Sequence, residues 1–537
     1  MQKLKLLPVL LLAVAALLLC LHANRFGADI LPDSGDYITA GIRLSRGEGF
    51  SIPNRTGPPA PLTWFPPLFS TVIAAVESLH LPIYRSVGDF NAGCYALLVL
   101  LTGLWIRRAG GNWICSAAGA AIVLTNHAVY LVHSIVLSEP MFLLFVTGCL
   151  WSLATWRSSG KLRFAALAGI MAALATLTRY AGISLLPTAF LLILLSLSRN
   201  WKQKFSAVFL TTVIGLLPAI AWSRIHTPPH QAATGRTLQW HPITRDCIQD
   251  GLQTLSSFVL PEDHHLKIPS IGLLALGLIL TIGSAILIAR SRHTSATDLD
   301  APPPYGKSAA AVTLIFAVTY LLFLVASISL LDADTPLDER ILSPLVVPLA
   351  VLCCVGLSAM TAALRSTPLR FLIALLFMVA LFQHSLSLYD PLHQRQSPED
   401  LAWYPTLQSD TLDSLRDIPA NEAVWSDKPC AIYMAYRLRT DALPDRPTEP
   451  TADPQSAADY AEAIQILRDQ LTDAGGGWVV LWHQLADFGD GFLNEDDIRK
   501  NFVTTDQEKF DDGLLLRIDD PQATPPAKPG NAAATAP

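Results

Sequence analysis

Asp33 and Asp36 stand in the pentapeptide Asp33-Ser34-Gly35-Asp36-Tyr37, immediately after an N-terminal apolar stretch. Two carboxylates in a loop just outside a membrane are placed to take up and release protons. Ser138-Glu139-Pro140 sets a third carboxylate at the mouth of another apolar stretch, where burying an unpaired charge is costly and function is the default suspicion. Glu139 could help bind a divalent cation such as Mg or Mn, or contact an acceptor; the positive end of a helix dipole would favour it equally. Arg179, in Thr178-Arg179-Tyr180, and Arg340 supply guanidinium groups, which grip phosphate oxygens bidentately and stay charged at any relevant pH. Arg179 could instead pair with Asp33 or Glu139 as a strut. The acidic turn formed by Asp332, Asp334, Asp338 and Glu339 reads as a solvated loop rather than a metal cage.

The elements that position these residues are membrane spans. A chain of 537 residues that is 51% hydrophobic, 15% charged and has a mean hydropathy of +0.38 is a polytopic α-helical membrane protein. Apolar runs near 6–23, 87–106, 113–131, 140–156, 163–178, 181–198, 205–223, 269–289, 309–328, 341–361 and 371–388 give about eleven spans. No cleavage site follows Leu21, so the first is expected to stay as an anchor. Arg107-Arg108, Arg157 with Lys161 and Arg163, Arg199 with Lys202 and Lys204, Arg290 with Arg292, and Arg365 with Arg370 share one side. By the positive-inside rule that side, with the N-terminus, is cytoplasmic. Loop 24–86, Glu139, Arg179, loop 225–268, the acidic turn and everything after about residue 389 then face outward.

Within loop 24–86, Tyr37 to Arg46 and Pro66 to Leu79 are expected to form juxtamembrane helices, with the Gly- and Pro-rich Arg43 to Pro67 arching between. After residue 390 the pattern turns soluble: strand-like Ala423 to Ser426, Trp478 to Trp482 and Leu514 to Ile518 alternate with a helix over Ala457 to Ala474, a small α/β domain over 391–520. The Pro- and Ala-rich tail 521–537 reads as disordered. Six of the eight cysteines fall in apolar spans, and only Cys247 and Cys430 leave a disulfide open. His133, His226, His230, His241, His264 and His265 read as outer-face residues without chelating spacing. Asn54-Arg55-Thr56 matches a glycosylation acceptor pattern that is common by chance. A net charge of −6 without a basic cluster gives no reason to expect a nucleic-acid partner.

A first helix followed by D-x-x-x-Y from Asp33 to Tyr37, then Ala40 to Gly47, then Phe65-Pro66-Pro67-Leu68, resembles the opening of the GT-C membrane glycosyltransferases. The pattern is similar to the protein O-mannosyltransferases, the lipid A aminoarabinose transferase and related bacterial proteins. Ser138-Glu139-Pro140, Thr178-Arg179-Tyr180 and Arg340 ahead of Pro344 and Pro348 fall where such proteins carry comparable elements. The resemblance covers residues 5–390. It implies sugar transfer from a polyprenyl-phosphate donor to a lipid, polysaccharide or protein acceptor at the outer leaflet, inverting by direct displacement. It also implies Asp33 as the general base, with Tyr37 in the same first-loop site, and Arg340 ahead of Arg179 as phosphate ligand. Ser34 stands where most relatives carry Glu, and Asp36 could supply the second carboxylate or simply cap the helix beginning near Tyr37.

Two other classes stay open. A transporter would show paired repeats or interrupted helices with charges at mid-membrane, and here the charges sit at span ends. A catalytically silent scaffold would keep the spans and bind through the C-terminal domain.

Overall fold

The computed structural model describes residues 6–54, 57–227, 238–261, 269–290, 304–332, 335–364, 366–388, 392, 397, 409–419, 422–436, 438, 440–444, 454–482 and 493–523. His230, His264, His265, Arg292, Asp334, Arg365, the Arg55-Thr56 pair and the tail from 524 lie outside the described residues. The chain forms two compact units, one of Met1–Ser34 with Thr63–Asp400, the other of Gly35–Leu62 with Leu401–Pro537.

The first unit is helical. Its helices are α1 (Leu7–Ala23), the start of α2 (Pro32–Ser45), α3 (Leu68–Ser78), α4 (Ile83–Arg108), α5 (Trp113–Thr125), α6 (His127–His133), α7 (Glu139–Ser159), α8 (Leu162–Thr178), α9 (Leu185–Leu194) and α10 (Trp201–His226). They continue as α11 (Arg245–Ser257), α12 (Ser270–Arg290), α13 (Tyr305–Leu330), α14 (Glu339–Leu342), α15 (Val346–Ala363) and α16 (Thr367–Ser387). Among the described residues seven helices are long and apolar enough to cross a membrane, eight if α5 and α6, bent by 58°, are one broken span. Leu7–Ala23, Leu68–Ser78, Leu162–Thr178 and Tyr180–Leu194 are shorter apolar helices. The break falls at Asn126, whose side chain leaves the helix to accept from the Val129 N–H, a cap that opens α6 in a new direction. The protein is a multi-pass membrane protein with a helical transmembrane bundle and a small C-terminal sheet.

Close packing of the spans depends on small residues. A Cβ on Gly103 of α4 would lie 2.5 Å from Val9 of α1, and one on Gly356 of α15 would lie 2.2 Å from Ser284 of α12. Polar groups are spent on fixing the turns: Asn24 Nδ2 donates to the carbonyls of His133 at 3.1 Å and Gly88 at 3.3 Å, tying α1 to α4 and α6. His133 is fully buried, stacked on Tyr95 at 4.6 Å, a packing residue rather than a loop histidine. His226 stacks on Trp222, and His241 donates its N–H to Ser329.

In the second unit, β1 (Ser51–Asn54) and β2 (Gly57–Pro61) form an antiparallel hairpin where an irregular arch was expected. The C-terminal part contains α17 (Asp410–Ser414), β3 (Val424–Ser426), α18 (Pro429–Tyr436), β4 (Thr440–Ala442), α19 (Pro454–Ala474), β5 (Gly477–Trp482), α20 (Glu495–Asn501), β6 (Asp506–Lys509) and β7 (Gly513–Ile518). The sheet order is β4-β3-β5-β7-β6, with β3, β4 and β5 parallel and β7 antiparallel to both neighbours. Successive residues of β5 and β7 point to opposite faces. Val479, Leu481, Leu514 and Leu516 join Leu467 and Leu471 of α19, while Val480 and Leu515 join Leu412, Leu415 and Ile432 on the other side. All eight cysteines are free thiols.

Candidate functional site

Asp33 lies in the first turn of α2, which begins at Pro32 rather than near Tyr37. Proline fits the first helical position and a carboxylate in the first turn complements the dipole, so the pentapeptide is helical instead of a loop. Ser34 is buried, and its hydroxyl accepts from the Leu31 N–H, closing the turn that precedes the helix.

The segment before α2 is fixed to the segment before α7 by a short parallel bridge. Asp29 N–H donates to the Ser134 carbonyl and Val136 N–H donates to the Asp29 carbonyl. Asp33 follows Asp29 by one turn and Glu139 follows Val136 by three residues, so the bridge delivers both carboxylates to one place. Arg179 enters at the end of α8, where extended backbone breaks the helix before the 3-10 turn Tyr180–Ser184. That turn is pressed against α8, since a Cβ on Gly182 would lie 2.4 Å from the Thr176 nitrogen. Tyr180 anchors it by donating its hydroxyl to the Thr63 carbonyl at 2.9 Å. Arg340 is held at the start of α14, where Asp338 caps the helix by accepting the Ile341 N–H at 2.9 Å. Burial pushes the Asp338 carboxyl above its ordinary range. Tyr320 donates to the Ile341 carbonyl at 2.6 Å and ties the same turn to α13.

Four side chains meet. Arg340 Nη2 donates to Asp33 Oδ2 at 2.6 Å, and Arg340 Nε lies 3.2 Å from Glu139 Oε1. Arg179 Nη1 lies 2.6 Å from the same Glu139 oxygen and 3.4 Å from Ser138 Oγ. The contacts to Glu139 Oε1 are close ion contacts without aligned hydrogen-bond geometry. Glu139 has 2% of its side chain exposed, whereas Asp33 keeps 32%. The cluster thus has a buried anionic base, two guanidiniums resting on it, and one carboxylate at its open edge. Two positive and two negative charges balance, which is how a carboxylate as buried as Glu139 is tolerated.

Asp36 and Tyr37 belong to the second unit. Asp36 Oδ1 accepts from the Cys430 thiol at 3.6 Å, and Tyr37 is buried. Burial pushes the Cys430 thiol up. Among the described residues no group of three His, Cys, Asp or Glu side chains is placed to hold a metal ion. Asp33 and Glu139 both have guanidinium partners, so this pair of carboxylates does not fit Mg or Mn. One pair at this end of the bundle was missed in the sequence: His127 Nδ1 lies 2.6 Å from Glu339 Oε2. Its signal was the Asn126-His127 interruption of an otherwise apolar run.

No protein-family model matches the chain, and no curated protein matches it in sequence. Solved structures do match. ArnT from Cupriavidus metallidurans bound to undecaprenyl phosphate superposes with a TM-score of 0.55 at 12% identity, over 95% of this chain and 97% of that one. The same protein in its apo state gives 0.57 at 12% identity over the same shares. The fold is that of the GT-C glycosyltransferases. The match to ArnT runs over nearly the whole of both chains, so the GT-C likeness takes in the C-terminal sheet as well as the spans.

Proposed function

We propose that the chain is an integral membrane glycosyltransferase that moves a sugar from a polyprenyl-phosphate donor to an acceptor. The reaction would occur at the outer face of the cytoplasmic membrane, with the N-terminus inside. The observation that carries this reading is Arg340 bridging Asp33 and Glu139, a phosphate-competent cation beside a partly exposed carboxylate. ArnT, a protein of the same fold, binds undecaprenyl phosphate in its solved structure.

In this reading an acceptor hydroxyl or amine docks on Asp33, which takes its proton as the acceptor atom attacks C1 of the sugar. The new bond forms opposite the breaking C1–O bond, the configuration inverts, and the polyprenyl phosphate leaves with both electrons of that bond. Charge then gathers on the phosphate oxygens, and Arg340, with Arg179 behind it, is positioned to stabilise it. Glu139 orients both guanidiniums and contacts no reacting atom. The transmembrane unit would hold the chemistry. Sugar and acceptor identity are the finer questions for assay.

The test is sugar transfer from a panel of polyprenyl-phosphate sugars by the full protein in lipid, comparing wild type with Asp33→Asn. Turnover lost while donor binding stays supports the reading. Donor binding without turnover by wild type favours the silent scaffold, and vectorial movement of a solute without transfer favours a transporter.

A further inference from the structure

A second polar feature lies at the other end of the helical bundle from the charged cluster. Glu139 opens α7 and Arg157 closes its last turn, about 27 Å away at 1.5 Å per residue. Arg157 Nη1 donates to the Lys307 carbonyl at 3.1 Å, so the start of α13 lies at that far end. There the end of α4, the last turn of α12, the start of α13 and the end of α15 surround a cavity of about 380 Å³. Its cationic lining is Arg108 and Lys307, and among the described residues no carboxylate lines it. The Arg108 guanidinium lies over the Tyr305 ring at 4.7 Å, which keeps it at the rim. A Cβ on Gly306 would lie 2.5 Å from the Ala109 carbonyl, so glycine lets α13 begin this close to the end of α4. On the other wall stand Ile288 and Val355, with Ser358 beside them.

A cavity with two cations and no carboxylate calls for an anion. Four spans end at its walls, which sets it at the depth of lipid headgroups rather than in bulk solvent. Basic pockets between span ends are suited to anionic headgroups, with the apolar wall taking the start of an acyl chain. At roughly 30 Å³ per water, the volume would hold about a dozen waters, enough for a glycerophosphate group. We propose that this cavity binds the phosphodiester headgroup of an anionic phospholipid through Arg108 and Lys307. The site is separate from the Asp33–Arg340 cluster and independent of the sugar-transfer reading.

The experiment compares thermal unfolding of the full protein in phosphatidylcholine bilayers with and without added phosphatidylglycerol, for wild type and for Arg108→Gln/Lys307→Gln. A ligand that binds only the folded state raises Tm. The expected result is a phosphatidylglycerol-dependent rise in wild type that the double variant loses, while both share one Tm in phosphatidylcholine alone. Arg108→Lys/Lys307→Arg keeps the charges and is expected to keep the rise, which guards against a variant that merely folds poorly. An undiminished rise in the Gln variant overturns the proposal. So does an equal rise with added phosphatidylethanolamine. A rise reproduced by inorganic phosphate in phosphatidylcholine also overturns it, because the source would then be the free anion.

Discussion

Arg340 and Asp33 are 307 residues apart in the chain, and their side chains make a hydrogen bond of 2.6 Å. The same guanidinium reaches Glu139, so a single arginine connects the first extramembrane turn to the mouths of α7 and α14.

Replacing Asp33 by Asn removes the proposed base and retains the shape. Transfer is expected to fall by about 100-fold or more, the usual contribution of a positioned base. Single-turnover transfer and donor binding, measured on the same preparation, separate chemistry from affinity. Full activity in the variant would remove Asp33 from the role.

Arg340→Lys preserves charge but loses the planar fork. Donor KM is expected to rise about tenfold, the equivalent of one lost charge-assisted hydrogen bond near 1.4 kcal/mol. Steady-state kinetics over donor concentration would show it, and an unchanged KM would assign the phosphate to Arg179 instead.

Glu139→Ala removes the carboxylate that two guanidiniums share and leaves Arg340 to Asp33. A loss of about 3–5 kcal/mol is expected, as for other broken buried ion pairs, with Glu139→Gln milder. Thermal unfolding in lipid bilayers measures it, and a Tm equal to wild type would mean that the arginines find other partners.

Gly182→Ala drives a methyl into the Thr176 backbone, only 2.4 Å away. The turn that presents Arg179 must shift, with about 1–3 kcal/mol of destabilisation. Activity is expected to fall together with Tm, and a rise in stability would show that the turn had room.

In the second unit, burial pushes the Asp427 carboxyl up to about 6 from its ordinary 3.8, despite hydrogen bonds from the Trp482 N–H and the Ser426 hydroxyl. The protonated form therefore suits the folded state. Its contribution is full below pH 3.8 and is lost as pH rises through about 6. The difference of roughly two units is worth up to about 3 kcal/mol. Urea unfolding followed by tryptophan fluorescence should show stability declining between pH 4 and 6.5, and Asp427→Asn should flatten that decline. An identical slope in the variant would place the titration elsewhere.

The spans were legible because a bilayer demands long apolar runs, and Glu139, Arg179 and Arg340 stood out because charges at span mouths are rare. What the sequence hid is convergence. Nothing in the spacing of Asp29 and Ile135 announces the bridge that brings Asp33 to Glu139. The hairpin Ser51–Pro61 was missed because Pro53, Pro58, Pro59 and Pro61 argue against strands. β4 has three residues, and β6, Asp506–Lys509, is wholly exposed at the sheet edge, so neither carries apolar alternation. The start of α2 was placed late because Asp33 and Gly35 read as turn residues, and the proline that begins the helix was given no weight.

The last membrane-crossing helix among the described residues shows what the surroundings contribute. Only 6% of the most apolar window of α16 is buried within the protein, against 78% for α7. Packing therefore does little to hold α16, and solvation by acyl chains must set its tilt and depth. Mismatch between helix length and hydrocarbon thickness would act on this element first. Detergent that replaces the acyl chains should release α16 before it disturbs Glu139, so extraction conditions could change the path of the chain from α16 onward while the charged cluster stays intact.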